Sequence, residues 1–295
     1  MRKAVLLLVL VAGLLLAAGC GGDDDDGGAA GGTTTTAEAS CDKESLELVN
    51  AGQLTIGTDN PAFPPWFEGT EEFDPWDPTT TPTKKGYEQE TAYAIAEQLG
   101  FTDDEVKWTV VPFNQSFRPG PKSFDFDINQ ISYKPARAEA VDFSDSYYDV
   151  EQAIVTVEGS KIDGAASIAD LEDAKLGAQI GTTSLEAIND TIQPSVEPSV
   201  YDTNNDAISG LKAKQVDGIV VDFPTALFMA AVQLDNGKVV GRLPAAEGGE
   251  YFGVVLEKDS SLTECVNEAI QAIRDDGTLD ELEQKWLTGS APVLE

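Results

Sequence analysis

The chain has 295 residues, 41% of them hydrophobic, and its 52 acidic against 19 basic side chains leave a net charge of −33. That length accommodates two domains of ordinary size, and the acidity argues against nucleic acid or an anionic lipid surface as a partner held by charge. There is no histidine, which removes Ser–His and Cys–His nucleophilic catalysis and the commonest zinc ligand together; no metal and no cofactor is expected.

Arg2 and Lys3 precede an apolar run over residues 4–16, followed by Ala17-Ala18-Gly19-Cys20. The run is short for a membrane span and has the flanks of a signal peptide. A cysteine after Ala-Gly is similar to a bacterial lipobox, whose cysteine becomes the lipidated first residue of the mature protein, although Ala17 stands where a larger residue is usual. The plain alternative is an ordinary signal peptide with a stray cysteine. Residues 1–20 are thus a secretion address with Cys20 as its lipid-bearing residue. Residues 21–40, made of Gly, Asp, Thr and Ala, show no apolar period and form a solvated tether.

Folding starts near Cys41. Residues 54–58 predict a buried strand, broken by Asp59-Asn60-Pro61 and followed by a stiff aromatic loop over 63–68. Residues 71–85 are longer and richer in Pro and Thr than a tight hairpin needs. Gly86-Tyr87-Glu88-Gln89-Glu90 opens a helix to Leu99, its packed face given by Ala92, Ile95, Ala96 and Leu99. A second strand covers 106–111. After it, Arg118-Pro119-Gly120-Pro121 speaks against a regular helix around 113–117. Ile128 to Ile131 end a buried strand, Ser132 leaves it, and Pro135 sits in the first turn of a short helix over 135–140. Arg137 in that first turn is disfavoured by the helix dipole, and a ligand carboxylate would offset it.

Residues 152–157 predict a strand that leaves the first lobe. The αβ pattern then repeats, with a strand over 175–179 and a Gly181-Thr182-Thr183-Ser184 turn into a helix reaching about 189. Thr183 and Glu186 have capping-box spacing. An amphipathic helix over 204–214, a strand over 218–221, a helix over 224–234, a strand over 251–256 and helices over 261–275 and 278–286 complete the chain. The alternation argues for an α/β fold with largely parallel sheets.

The string Ser132, Pro135, Arg137, Val141-Asp142-Phe143-Ser144-Asp145, Tyr147-Tyr148 resembles the ligand-arginine segment of the periplasmic amino-acid-binding proteins that serve ABC importers, solute-binding family 3. The resemblance runs from about residue 54 to 287 and includes the glycine–aromatic–acid opening at Gly86, with Gln89 where an apolar residue is usual. It implies a two-lobed type II periplasmic-binding-protein fold, with two mainly parallel sheets flanked by helices and a two-stranded hinge. Residues 41–150 would form lobe one, 151–249 lobe two, and 250–295 would return to lobe one.

Residue by residue, the resemblance offers Arg137 and Ser132 for a ligand carboxylate, with Asn129 or Gln130 beside them. The Arg137 fork suits bidentate recognition. Phe63, or alternatively Trp66, stacks on the ligand, and Phe113 is either a pocket aromatic or core. In lobe two, the Gly181-Thr182-Thr183 turn makes a second carboxylate cradle, and Asp222 takes the ammonium unless it only caps the helix after it. The function implied is a monomeric receptor that captures an amino acid and delivers it to a membrane permease. An enzyme on the same scaffold, dehydratase-like or murein-lytic, is the alternative. The acidic field weakly favours neutral or cationic ligands. Outside the cytoplasm, Cys41 and Cys265 are expected to pair.

Overall fold

A computed structural model describes residues 40–245 and 248–295. The expected signal segment 1–20, with Cys20, and all but the last residue of the expected tether 21–40 lie outside the described residues.

Strand β1 (Leu54–Thr58) is buried along its whole length. Burial on both faces is what a continuous apolar strand between helices requires. Ala92 and Ile95 of helix α1 (Tyr87–Gln98) are buried in the same core cluster as Leu54 and Ile56. Strand β2 (Val106–Val110) lies parallel to β1, as does the short β3 (Phe126–Asp127) on its other side. Between them, Phe113–Ser116 forms a single helical turn, α2, so the prolines after it end a helix rather than prevent one. Helix α3 (Pro135–Ala138) has proline at its first position, and β4 (Asp142–Phe143) follows.

The chain leaves through β5 (Tyr148–Asp149) into β6 (Gln152–Val157). The second lobe holds β7 (Leu176–Gln179), α4 (Thr183–Ala187), β8 (Ser199–Tyr201), α5 (Asn204–Lys212), β9 (Gly218–Asp222), α6 (Phe223–Phe228) and β10 (Gly237–Arg242). Both α4 and α6 continue as a π-helical turn, to Ile192 and Gln233. The return runs through β11 (Tyr251–Phe252) and β12 (Val255–Leu256) to α7 (Leu262–Asp275) and α8 (Thr278–Trp286).

Two five-stranded sheets result, ordered β2-β1-β3-β12-β4 and β10-β6-β9-β7-β8, with β5 and β11 paired as a separate two-stranded ribbon. Each sheet is mixed rather than mainly parallel: β12 is antiparallel to β3 and β4, and β6 is antiparallel to β9 and β10. The cause is the crossing itself. A strand arriving from the other lobe enters its sheet from the end where the resident strands leave.

Two boundary expectations are corrected. The capping residue of α4 is Thr182, whose side chain accepts from Leu185 N at 3.2 Å, so the Thr183–Glu186 box does not form. The segment 250–295 does not lie wholly in lobe one. Past Leu287 the chain crosses back, Val293 bridges to Arg242, and Leu294 is buried among Ile154, Leu176 and Val220. Burial of the Leu294 side chain is reason enough, since it removes a large apolar group from water.

Cys41 and Cys265 form a disulfide across 224 residues of sequence, tying the start of the folded chain to α7. Closing so long a loop restricts the unfolded chain by about 5 kcal/mol on the chain-entropy model. The double variant Cys41→Ser/Cys265→Ser is expected to unfold at markedly lower denaturant with unchanged native circular dichroism, a loss of roughly 3–5 kcal/mol by linear extrapolation.

Candidate functional site

A cavity of about 380 Å³ opens between the two lobes, where the carboxyl ends of several strands meet. That is where open α/β sheets place their ligands. Asp59 follows β1, Asn129 follows β3, Thr182 and Thr183 follow β7, and Asp222 ends β9; all five line the cavity. Three carboxylates, Asp59, Asp202 and Asp222, face it, and no lysine or arginine is among its described lining residues.

In lobe one, Phe63 and Phe113 both line the cavity and are half-buried. Trp66 lines it too but is buried, its ring edge-on to Tyr87, Tyr148 and Phe252. Its indole N–H donates to Thr225 Oγ1 at 2.8 Å, a bond across the cleft. Asn129 lines the cavity and presents a buried Nδ2 with no hydrogen-bond partner among the described residues. Gln130 also lines the cavity, while its backbone N–H donates to Glu88 at 2.7 Å and its side-chain amide donates to the same carboxylate.

Ser132 and Arg137 are brought together with the α4 turn, though not as free groups. Arg137 donates to the backbone carbonyls of Ser132 at 2.6 Å and Gly181 at 2.7 Å, a second bond across the cleft. Its guanidinium lies over the Phe117 ring at 4.4 Å. Neither Arg137 nor Gly181 lines the cavity; both stand at its rim beside Ser132 and Thr182. Burial lowers the Arg137 pKa, and the nearby Glu186 and Glu250 oppose that.

In lobe two, Thr182 Oγ1 donates to Gln179 O while capping α4. Thr183 Oγ1 lies 3.2 Å from Ser132 Oγ, a third cross-cleft contact. Asp222 makes no capping bond to α6. Its carboxylate accepts instead from Gln152 Nε2 at 3.2 Å. Burial, and then the neighbouring Glu250, push its carboxyl up to about 8.

Four residues of this region carried no sequence signal that singled them out: Asp59, Asp202, Gln152 and Glu250. Asp59 sits in what reads as a strand breaker, yet it lines the cavity and accepts from Asn60 N, and burial raises its pKa. Glu250 accepts from Ser132 Oγ at 2.6 Å and from Gln152 Nε2 at 3.3 Å.

The family description "Bacterial extracellular solute-binding proteins, family 3" matches residues 54–289. The chain belongs to that family. It is 29% identical over 209 residues to the arginine-binding extracellular protein ArtP of Bacillus subtilis (strain 168), covering 69% of this chain and 78% of that protein. It is also 29% identical over 205 residues to the L-cystine-binding protein TcyJ of Escherichia coli (strain K12), covering 68% and 73%. Among solved structures, an ancestral arginine-binding protein bound to arginine superposes with a TM-score of 0.65 at 29% identity, covering 80% of this chain and 99% of that one. The ancestral amino-acid-binding protein AncCDT-1, a precursor of cyclohexadienyl dehydratase, gives 0.63 at 26% identity over 80% and 96%.

Beneath the cavity, this family 3 protein buries two further acids in lobe one. Glu88 accepts from Tyr147 Oη and from Gln130, and burial pushes its carboxyl up to about 7 against those bonds. Asp127 is fully buried with neither oxygen bonded among the described residues, and burial with the Glu88 charge raises its carboxyl well above the usual range. A carboxyl whose pKa is raised on folding holds its proton more tightly in the native state, so its stabilisation is complete below the unfolded pKa and is lost as pH rises through the folded one. For Glu88 that window runs from 4.5 to about 7 and for Asp222 from 3.8 to about 8. The melting temperature is expected to fall as pH rises from about 5 to about 8. Glu88→Gln should flatten that slope by an amount on the order of 1–3 kcal/mol, read from denaturant melts across the range.

Proposed function

We propose that this protein is a receptor that closes on a free amino acid with a cationic side chain and delivers it to an ABC importer, tethered to the membrane by a lipid on Cys20. The observation that carries the ligand class is the cavity wall: three carboxylates from both lobes and no described lysine or arginine. An acidic ligand side chain would be repelled there, whereas a guanidinium or ammonium finds carboxylate partners. Asp59 and Asp202 flank the side-chain end of the cavity on this reading, and Asp222 takes the α-ammonium. The relatives named for arginine support the same class.

The α-carboxylate then falls to the rim, where Ser132, Thr183 and Arg137 converge. Arg137 spends only part of its donor fork on the two backbone carbonyls, and its remaining N–H groups are available to a carboxylate. Phe63 and Phe113 supply apolar walls for the aliphatic stem, Asn129 a free donor beside them.

One observation favours an enzyme on this scaffold as the second reading: a carboxyl near 8 lining a cavity is protonated at neutral pH and suited to general-acid work. Incubating the protein with each amino acid and analysing the mixture by mass spectrometry separates the two, since a receptor returns its ligand unchanged.

A thermal-shift screen over the amino acids is expected to give its largest rise with L-arginine or L-lysine and none with L-glutamate. On the best ligand, Arg137→Lys should cost about 2–5 kcal/mol of affinity by calorimetry, because an ammonium cannot reproduce the planar fork. Asp222→Asn should cost a similar roughly 30- to several-thousand-fold. Binding of Asp222→Asn within about threefold of the unmodified protein would remove Asp222 from the ligand set.

A further inference from the structure

Behind the cavity, one neutral amide stands between two carboxylates. Gln152 Nε2 lies 3.2 Å from Asp222 Oδ1 and 3.3 Å from Glu250 Oε1, while its Oε1 accepts from Ser184 Oγ at 2.7 Å. Turning the amide over would press its oxygen against both carboxylates, so the network fixes the orientation. Neither carboxylate has an ion-pair partner among the described residues; Arg137, whose charge interacts with Glu250, is engaged with backbone carbonyls. Burial, and then the Glu250 charge beside it, disfavour the ionised form of Asp222, so that carboxyl holds its proton more tightly.

We propose that Asp222, Gln152 and Glu250 form a proton-holding unit, and that the protein releases this proton when it takes up the ligand's ammonium. The proposal rests on the reading that Asp222 receives the α-ammonium. The exchange balances simply: the neutral Asp222 carboxyl loses H⁺ to solvent, and the resulting carboxylate pairs with the incoming –NH₃⁺. Glu250 acts through Gln152 and Ser132 and is a positioning residue; it does not line the cavity. The other groups that face the unit are Glu88, whose charge also raises the Asp222 carboxyl, Tyr148, whose phenol is held neutral in part by Asp222, and Arg137 opposite Glu250. With the Asp222 carboxyl at about 8, the proton is present at neutral pH and available to be exchanged.

The test is calorimetry with L-arginine in buffers of differing ionisation enthalpy, which counts protons exchanged per ligand bound. Close to one proton should be released at about pH 7, and affinity should rise roughly tenfold per pH unit from about 6, flattening near 8. Asp222→Asn should abolish the release. Glu250→Gln, nearly isosteric, should cut the proton count at pH 7 and move the flattening to lower pH; a merely structural role would weaken binding equally at every pH with the count unchanged, and that result overturns the unit. Arginine binding with no proton release by the unmodified protein, or release persisting in Asp222→Asn, overturns the proposal and leaves the receptor reading standing. Absence of binding by arginine and lysine at every pH overturns both. The proton count on the unmodified protein decides the matter even if a variant fails to fold.

Discussion

The register of one strand pair decides which side chains meet behind this cleft. In the antiparallel ladder of β6 with β9, Gln152 lies directly opposite Asp222, so the first residue to enter lobe two is locked beside the carboxylate that ends the neighbouring strand. Facing residues in such a ladder have their side chains within contact distance, and a slip by one would turn both away. On the lobe-one side, Ser132 bridges to Phe252, and Tyr133 N donates to Tyr251 O at 3.0 Å. That pairing sets Glu250 against Ser132. The crossing strands therefore do more than connect the lobes: their ladders place an amide, a hydroxyl and two carboxylates at a single point between them.

Much of the fold could be read from the sequence because its signals are local. The strand at Leu54–Thr58 and the helix at Thr278–Trp286 have the expected bounds, the first from an apolar run between turn residues, the second from helical spacing after glycine. What failed depended on distant partners. Nothing local tells a strand whether its neighbour arrives parallel or reversed, so the mixed sheets were hidden. Leu294 gives no sign that it docks on lobe two, because its pocket is built by Ile154, Leu176 and Val220, more than seventy residues away in sequence. The α4 cap moved by one residue because Thr182 and Thr183 are chemically alike, and only the backbone angle decides which of them turns into the helix.

The site divides along the same line. Arg137, Ser132 and the threonine pair sit in recognisable strings, and all converge on one cavity or its rim. Gln130 sits in the same string and lines the cavity too, but its amide is engaged by the buried Glu88. Asp59, Gln152 and Glu250 lie in unremarkable surroundings and gain meaning only from neighbours far along the chain, at separations of up to 118 residues. Asp222 had two possible roles in the sequence; its side chain makes no capping bond to α6 and accepts from Gln152 instead.

The lobes meet through a small number of contacts: Trp66 to Thr225, Arg137 to Gly181, Ser132 to Thr183, the Lys134–Glu186 ion pair, and Phe73 of the 71–85 insertion against Phe228 on α6. The insertion is itself well anchored, with Trp76 stacked on Phe67 and edge-on to Trp108 in lobe one, so Phe73 reaches over from a fixed base. Neutral hydrogen bonds contribute about 1 kcal/mol each and an exposed ion pair less. Opposing them, Asp59 in lobe one faces Asp202 in lobe two across the same cavity. Their repulsion grows as the lobes approach, because closure removes the water that screens it. A cation between them reverses the sign of that interaction, and it does so only in the closed form. Differential affinity for one conformation is what shifts a conformational equilibrium. On the receptor reading proposed above, selectivity for positive charge and the drive to close would therefore have the same electrostatic origin.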